Sequence, residues 1–520
     1  MKKALLLLAL LPASCWASTY LATTPQEIQS YTDSLEAGDT LLIQEGLYDM
    51  NWDIRDRTGN PSEWIVISGT GSSVVIRGTA YDNVIDIYNC RYVELARIDI
   101  TTSNAGSGID GIKFRTSSDN IVMVDLHIHD LTGVGISANP AGESFTYLTI
   151  RRCHIHDITG VGEGMYLGNH DGLAPVHHCV VEQNWVHDCH PRKGIQLKRG
   201  TYLNTVQDNV VYNCDEAGIV LYKTDQFSGA DNNVVRRNTI WNTPEGVFAV
   251  GQTDVENNVI FGCDYGMNVR NYSGWGMLDL YIRNNTVFDC AVTCLRLDDW
   301  NGASGEMVCV NNACYQGSIS ESAIQAPDGV GPGTVANNRH YGQSQVGGSA
   351  LGNPPDIEFL NPDPTPGVID LYPTQNSALI DSGISGYSVP LDDFNSLSRP
   401  VGTDWDIGAY EWSQGGNPGW QIEEGFKEWD TGIQDSDMGR PGGVGLSVSV
   451  FSGIVRFTGL SPGDELKIYS VAGRLVHHSG RLPGREYNWH TERVPSGLYF
   501  SAVVSDADER VGAAKITILR

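Results

Sequence analysis

The fold of this chain is decided by two consecutive turns of a repeat, residues 184–223, which read NWVHDCHPRKGIQLKRGTYLNTVQDNVVYNCDEAGIVLYK. Each turn opens with an asparagine, Asn184 or Asn209, before a short apolar run. A glycine, Gly194 or Gly218, then precedes a second apolar run. Within these runs apolar residues alternate with polar or aromatic ones. That alternation is the period of a β-strand and not of a helix.

The same two landmarks recur over much of the chain. The Gly-apolar step recurs at spacings of 24, 29, 30, 24, 28 and 20 residues, at Gly111, Gly135, Gly164, Gly194, Gly218, Gly246 and Gly266. The asparagine recurs at spacings of 25, 29, 20, 27 and 27 residues, at Asn184, Asn209, Asn238, Asn258, Asn285 and Asn312. Equivalent residues of stacked parallel coils lie one strand spacing apart, so buried asparagines can hydrogen-bond along a ladder. The repeat predicts an all-β, right-handed parallel β-helix (a solenoid) over residues 18–413.

Both ends of a solenoid need a cover. Thr24-Pro25-Gln26-Glu27 predicts a short amphipathic helix that runs to Leu35, with Thr24 as its N-cap. Together with the Asn and Gly landmarks and the closing segment Trp405–Glu411, this opening resembles the pectate-lyase-like superfamily of right-handed parallel β-helix proteins. The resemblance implies the same fold but says little about which activity the chain has.

Composition and the first residues indicate where the protein acts. A formal net charge of −28 over 520 residues argues against nucleic acid as the main partner. Residues 1–17 predict a cleaved signal peptide, with a charged start at Lys2–Lys3, an apolar run at Ala4–Leu11 and a small-residue site before Ser18. Lipidation at Cys15 is the alternative. The sequence predicts a secreted or cell-surface bacterial protein with no transmembrane segment.

The composition changes after the closing segment. A polar, Gly-rich linker is predicted over residues 414–443, and alternating strands follow over residues 444–520. The stretches Leu466–Arg474 and Ser496–Phe500 make this region resemble the C-terminal sorting domain of type IX-secreted proteins, a small immunoglobulin-like β-sandwich. The resemblance implies the secretion machinery as a partner. A carbohydrate-binding or spacer module is the alternative.

The Gly-apolar step also predicts which side chains face solvent. In a strand that opens Gly-in-out-in-out, the second and fourth residues after the glycine point outward. On this acidic protein, those positions and their neighbours carry lysine, arginine and aromatic residues. Such a stripe suits an extended anionic glycan, because guanidinium groups hold carboxylates and aromatic faces stack on sugar rings. The predicted substrate-binding residues are Lys113, Arg115, Tyr166, Asn169, His170, Gln196, Lys223, Phe248 and Trp300.

Many members of this superfamily are polysaccharide lyases, which neutralise a uronate carboxylate, remove the adjacent proton and expel the glycosidic oxygen. Neighbouring cations such as Arg199 would lower the pKa of Lys198 enough for it to act as a base. Exposed cations that only keep a sheet face soluble are the alternative. Resemblance to the alginate lyase and chondroitinase B group implies Lys198 as the base, Arg199 or Arg270 as the carboxylate ligand, and Tyr222 or Tyr166 as the donor to the leaving oxygen.

Several motifs of related enzymes are absent from the sequence: the intact Lys-to-Arg motif of alginate lyases, the Arg-x-Pro-x-x-Arg of pectate lyases, the aspartate set of polygalacturonases and the Tyr-Gly-Phe-Asp-Pro-His signature of mannuronan epimerases. The leading interpretation is a carbohydrate-active protein, a lyase acting on a uronate-containing glycan. A non-catalytic glycan-binding protein or adhesin is second. A glycoside hydrolase is third, because it would need two carboxylates across one cleft.

Two groups of residues raise the question of a metal. Asp298-Asp299 could hold Ca²⁺, a cation that prefers carboxylate ligands. His129, His156 and His187 align with aromatic residues of later coils, on a different strand from the lysine stripe. That alignment predicts a column of stacked rings, and a metal site is the alternative.

Overall fold

The computed structural model describes residues 17–71, 73–160, 162–223 and 231–427, and seven strands with a few adjoining residues between 447 and 518. The predicted signal peptide lies outside the described residues, apart from Ala17. Contacts divide the chain into two compact units, Met1–Trp429 and Asp430–Arg520. Among the described residues, no helix has the length and apolar character needed to cross a membrane.

Unit 1 is a right-handed parallel β-helix, so the predicted fold class is confirmed. Successive strands enter sheets 1, 2 and 3 in turn. The main path of sheet 1 contains Thr19–Ala22, Thr40–Ile43, Ile65–Gly69, Arg91–Ala96, Ser118–Val124, Thr149–Arg151, Val180–Glu182, Thr205–Gln207, Asn233–Arg236, Gly251–Glu256, Leu278–Arg283, Ser304–Val310 and Thr334–Ala336. Its side strands are Phe145–Thr146, Val176–His177 and Thr201–Tyr202.

The other two sheets complete each coil. Sheet 2 contains Gly46–Asp49, Val74–Gly78, Asp99–Thr102, His127–Leu131, His154–Ile158, Trp185–Cys189, Val210–Cys214, Thr239–Trp241, Val259–Phe261, Thr286–Phe288, Ala313–Tyr315, Asn338–Tyr341 and Ser349–Leu351. Sheet 3 contains Trp52–Arg55, Ile85–Tyr88, Ile112–Phe114, Ile136–Ala138, Met165–Leu167, Ile195–Leu197, Ala217–Leu221, Glu245–Ala249, Tyr265–Val269, Thr293–Leu297, Ser322–Gln325 and Gln343–Ser344.

The predicted asparagine ladder runs through the turn between sheets 1 and 2. All six predicted asparagines are fully buried. Each side-chain amide donates to the Oδ1 of the asparagine in the next coil at 2.9–3.0 Å. The ladder extends one coil further than predicted, from Asn312 to Asn338. It satisfies buried backbone groups at the same turn of each coil from Asn184 to Asn338, which fixes the register of that part of the stack.

The glycine column at the start of sheet 3 is required by close approach between coils. A Cβ on Gly246 would lie 2.4 Å from the carbonyl oxygen of Gly266, and one on Gly135 would lie 2.5 Å from that of Gly164. Real Cβ atoms do not approach a carbonyl oxygen this closely, so only glycine fits. Close packing of successive coils therefore explains why glycine recurs at this position.

A helix covers the first coil, as predicted. It spans Pro25–Thr32 and ends three residues before the expected Leu35. Its N-cap Thr24 accepts from the Glu27 amide through Oγ1 at 3.2 Å, and Glu27 accepts in return from the Thr23 amide at 2.8 Å. The helix docks on the solenoid through Thr32, whose hydroxyl accepts from the Trp52 indole N–H.

After the last coils, the chain returns along the solenoid. This return segment, residues 354–427, contains the helix Pro355–Glu358 and the antiparallel strands Phe359–Asn361 and Asp370–Pro373. Its apolar side chains pack on the aromatic residues of sheet 2. The part of the predicted linker that the structure describes, residues 414–427, belongs to this packed chain, because Trp420, Ile422 and Lys427 are buried.

Unit 2 contains two antiparallel sheets, in agreement with the predicted small β-sandwich. Their facing side chains form a separate core that includes Phe457, Ile468 and Trp489. The first sheet contains Ser447–Phe451, Ile454–Thr458 and Glu486–His490; the second contains Leu475–Arg481, Glu465–Ser470, Gly497–Val504 and Arg510–Ile518.

Candidate functional site

The predicted base, Lys198, lies between two tyrosines on the outer side of sheet 3. It directly follows the strand Ile195–Leu197. Its Nζ is 4.9 Å from the ring centre of Tyr166 in the preceding coil and 4.8 Å from that of Tyr222 in the next coil. The structure therefore brings together the three predicted residues of this chemistry that come from three consecutive coils. Aromatic faces at this distance attract an ammonium group.

The surroundings of Lys198 favour its neutral amine. Burial is the largest cause, and with Lys193 and Arg192 it lowers the pKa of Lys198 to about 8, although Glu163 and Glu216 oppose the shift. The cations that lower this pKa most are Lys193 and Arg192, whereas the sequence suggested Arg199. Burial also raises the pKa of Tyr166 to about 12, so this phenol stays protonated at neutral pH. Lys198 in its neutral form could therefore take a proton, and the protonated Tyr166 could donate one.

Trp275, which the sequence analysis missed, holds several predicted residues in one place. The guanidinium of Arg199 lies 4.8 Å from its ring centre, and the His170 ring lies 5.5 Å from it. Lys223 Nζ donates to the Trp275 carbonyl oxygen at 2.8 Å. Trp275 also makes an edge contact with Tyr222 at 5.7 Å. Its loop follows a strand two coils away from Tyr222, and no repeat in the sequence marked it.

Five predicted residues are buried, and the expectation that they face solvent is wrong for them. Tyr272 and Trp275 pack against Tyr222 and Phe248, so that a loop covers this part of the sheet. Trp300 lies in the solenoid core, where it begins the short 3₁₀ turn Trp300–Gly302. The exposed fractions are 0% for Gln196, 4% for Tyr222, 8% for Lys223, 3% for Phe248 and 0% for Trp300.

Burial changes the roles that these side chains can have. The Phe248 and Trp300 rings are not available to stack on a sugar, and the Tyr222 phenol is less accessible to a leaving oxygen than that of half-buried Tyr166. Both polar atoms of the Gln196 amide lack a hydrogen-bond partner among the described residues. An unpartnered buried amide is costly, and at 0% exposure Gln196 cannot contact a ligand in this conformation.

The remaining predicted cations are paired with acids. Lys113 Nζ lies 3.1 Å from Asp110, and Arg115 bridges Asp86 at 2.9 Å and Asp82 at 2.8 Å. Arg270 lies over the Phe248 ring at 4.8 Å and within 3.5 Å of Glu245. Asn169 accepts from the Leu173 amide at 2.8 Å within its own loop. Among the predicted site residues, those around Lys198 therefore remain the candidates for binding a glycan.

The predicted stacking column on sheet 2 is confirmed. The rings of His156 and His187 lie 5.0 Å apart at 5°, and those of His187 and Tyr212 lie 4.8 Å apart at 2°. The column continues through Trp241 to Phe261 at 4.4 and 5.5 Å. In-register pairing of parallel strands places these rings one above another.

The aspartates considered for Ca²⁺ lie close to a third acid. Ligand atoms of Asp298, Asp299 and Asp328 lie within 4.8 Å of one another. One Asp298 oxygen is also held by Arg296 at 2.5 Å, and Asp299 accepts from the Asn271 amide at 3.1 Å. A Ca²⁺ role stays a prediction.

A separate polar cleft of about 370 Å³ opens where sheet 2 turns toward sheet 3. Its lining includes Asp188, His190, Asp215 and Asp264, and it contains none of the predicted site residues. The cleft is acidic, so it does not suit a polyuronate.

Comparison with known proteins adds a family likeness over part of the chain. A family model described as periplasmic copper-binding protein (NosD) matches residues 63–286, which is less than half of the chain. No curated protein sequence matches.

Solved structures show the same fold at low identity. The PL6 family alginate lyase AlyGC has a TM-score of 0.49 at 14% identity, covering 74% of this chain and 60% of that one. The pectate lyase Pel9A has a TM-score of 0.44 at 13% identity, covering 76% and 96%. The A-module of an Azotobacter vinelandii mannuronan C-5 epimerase has a TM-score of 0.40 at 18% identity, covering 64% and 96%. This chain thus spans about 60% of the length of AlyGC, and the likeness is one of fold: the parallel β-helix.

Proposed function

We propose that this chain is an extracellular polysaccharide lyase that acts by β-elimination on a uronate-containing glycan, with Lys198 as the base. The observation that carries the proposal is the placement of Lys198, half-buried between Tyr166 and Tyr222, with its pKa lowered to about 8. A lysine that only solubilises a sheet face would have no reason to be desolvated. A perturbed group in such a cluster is a functional candidate.

Each step has a residue suited to it. The Arg199 guanidinium neutralises the uronate carboxylate, which makes the adjacent C5 proton more acidic. The neutral amine of Lys198 takes that proton. The electron pair forms the new C4–C5 double bond as the C4–O4 bond breaks, and the Tyr166 phenol donates a proton to the leaving oxygen. Trp275 holds the Arg199 side chain from one side.

The test uses the purified full chain with alginate, polygalacturonate and uronate glycosaminoglycans, with and without Ca²⁺. Ultraviolet absorbance follows the new carbon–carbon double bond. Lys198→Ala should lower the rate at least about 100-fold, as expected for loss of a general base. Lys198→Arg keeps the positive charge but removes the titratable amine, so it should retain glycan binding without turnover.

Lys467→Ala is the control, because this lysine belongs to unit 2 and lies 3.9 Å from Glu465 in a loose ion pair. Turnover that survives both Lys198 variants would refute Lys198 as the base. Binding without turnover by the unmodified chain would support the non-catalytic glycan-binding alternative. No binding to any polymer would contradict both.

We further propose that residues 1–17 export the chain and that the β-sandwich of unit 2 acts as a secretion-sorting domain. The alternating strands and small size of unit 2 support this proposal. Expression in a bacterium with a type IX secretion system, with and without residues 444–520, tests it. Retention of the shortened chain in the periplasm is expected, and equal release of both chains would contradict the sorting role.

A further inference from the structure

Five histidines of three successive coils form a compact cluster on the outer face of sheet 2. The strands His127–Leu131, His154–Ile158 and Trp185–Cys189 supply them. Register pairs His127 with His154 and His129 with His156. The cluster is distinct from the Lys198 site, which lies on sheet 3, and the proposed lyase mechanism does not use it.

An aspartate fixes the proton position on three of these imidazoles. Nδ1 of His127 lies 2.8 Å from Asp99, and Nδ1 of His156 lies 2.7 Å from Asp157. In the third coil, Nδ1 of His187 lies 2.6 Å from Asp188. A carboxylate accepts the Nδ1 proton, which leaves the lone pair on Nε2. Histidines that bind metals have this same carboxylate behind them.

The Nε2 atoms then face each other. The Nε2 atoms of His127 and His156 are 2.7 Å apart, and those of His154 and His187 are 2.8 Å apart. His127 and His156 each have a carboxylate at Nδ1, so two lone pairs meet between them and repel unless a proton or a cation lies against them.

These distances match those between adjacent ligands on one metal ion. Two nitrogens that are each about 2.0 Å from an ion lie about 2.8 Å apart at right angles, the angle of tetragonal Cu²⁺ sites, and about 3.3 Å apart at the tetrahedral angle of Zn²⁺ sites. The candidate ligand atoms of His127, His154 and His156 all lie within 4.8 Å of one another. The His127 side chain is 39% exposed, so an ion can reach the cluster from solvent.

We propose that His127, His154 and His156 bind a late first-row divalent cation, Cu²⁺ or Zn²⁺, with Asp99 and Asp157 orienting two of the imidazoles. Imidazole nitrogen suits these ions, whereas Ca²⁺ and Mg²⁺ prefer oxygen. His129 is excluded as a ligand, because its two ring nitrogens contact the carboxylates of Asp99 and Asp130 at 2.9 and 2.7 Å.

The first test measures metal content and affinity in the full chain, carrying no histidine tag. The chain is treated with a chelator, loaded with Cu²⁺ or Zn²⁺, desalted and measured by elemental analysis. One tightly bound ion per chain is expected. The variant His127→Ala/His156→Ala should lose it, and Asp157→Asn should weaken binding about tenfold, as expected for removal of the group behind a ligand.

The matched control removes another contacting histidine pair. His177→Ala/His178→Ala deletes two rings whose Nδ1 atoms lie 2.8 Å apart, outside the cluster. This control should keep its ion. Equal ion content in the two double variants would overturn the proposal, as would an unmodified chain that holds no ion after desalting.

A second readout on the unmodified chain does not depend on how the variants fold. The Cu²⁺-loaded chain should give an electron paramagnetic resonance spectrum with superhyperfine splitting from three imidazole nitrogens. A spectrum with oxygen ligands alone would overturn the assignment. Lyase turnover is measured with and without the bound ion. The metal content tests the histidine site and the turnover tests Lys198, so either proposal can fail while the other holds.

Discussion

Removal of one asparagine from the ladder should destabilise the solenoid strongly, and Asn258 is the best choice because it lies in the middle and is fully buried. Its Nδ2 donates to Asn285 Oδ1 at 2.9 Å and to the carbonyl oxygens of Val235 and Glu256 at 2.9 and 3.1 Å. Its Oδ1 accepts from the backbone and side-chain amides of Asn238, both at 3.0 Å. One side chain therefore takes part in five hydrogen bonds.

The magnitude follows from which partners are left without a bond. In Asn258→Ala the Asn238 backbone N–H loses its acceptor, whereas the Asn238 side chain keeps its bond to the Val206 carbonyl oxygen. An orphaned buried amide costs about 1–3 kcal/mol, and each further lost bond costs about 1 kcal/mol net. With one orphaned amide and four further lost bonds, the expected loss in the free energy of unfolding is about 5–7 kcal/mol.

The assay is urea unfolding at equilibrium, followed by circular dichroism and tryptophan fluorescence. Asn301→Ala is the control, because Asn301 is exposed and should change stability by less than about 0.5 kcal/mol. Asn258→Asp adds a sign test. Burial raises the pKa of the new carboxyl above its unfolded value, so the destabilisation should grow as pH rises from about 4 to 7. A loss under about 1 kcal/mol in Asn258→Ala would refute the reasoning.

Gly246→Ala should lower the free energy of unfolding by about 3 kcal/mol or more, because the new Cβ would lie 2.4 Å from the carbonyl oxygen of the next coil. Gly302→Ala is the control, since its Cβ would have no atom within 4 Å. Equal Tm values for the two variants would contradict close approach between the coils. Arg399→Ala should cost about 3–5 kcal/mol in urea unfolding, because it leaves Glu411 buried and unpaired. For Lys198 as base, kcat/KM should rise with pH up to about 8 and then level off; a profile that is flat between pH 6 and 8 would exclude its deprotonation from the mechanism.

The regular part of the fold was predictable because the same residue types recur at equivalent positions of successive coils. The asparagines and the glycines each mark a constraint that recurs over many consecutive coils, a buried hydrogen bond in one case and close contact between coils in the other. The return segment has no such period. It attaches through single contacts such as the bond from Arg399 to the Asn257 side chain at 3.2 Å, and a single contact leaves no pattern in the sequence.

For the candidate site, the alternation of side chains along a strand predicted only the face of the sheet on which each residue lies. Alternation correctly placed Lys198 and Tyr166 on the same outer face. It does not show whether another segment covers that face, and the loop with Tyr272 and Trp275 buries Tyr222 there. Loops that fold over a solenoid vary in length from coil to coil, so their destination depends on tertiary packing that a repeat does not encode.

The histidine cluster shows how a structural demand of the turn can supply chemistry. In six coils of sheet 2, the residue that follows an outward ring adopts a left-handed backbone, with φ between 50° and 52° at Asp130, Asp157, Asp188, Asn213, Asn242 and Asp289. Aspartate and asparagine tolerate this conformation better than most residues, so the turn alone explains why they recur. At His156 and His187 the same aspartate accepts the Nδ1 proton and leaves Nε2 available, whereas at His129 the Nε2 atom contacts Asp99. Where that ring is Tyr212 or Trp241, the amide that follows has no imidazole partner, and the ring itself only stacks. Of the proposed ligands, only His156 precedes such a turn residue. His127 and His154 lie two positions earlier on their strands, and the carboxylate of His127 comes from Asp99 in the preceding coil, so the fold's turn residues supply one part of the proposed site.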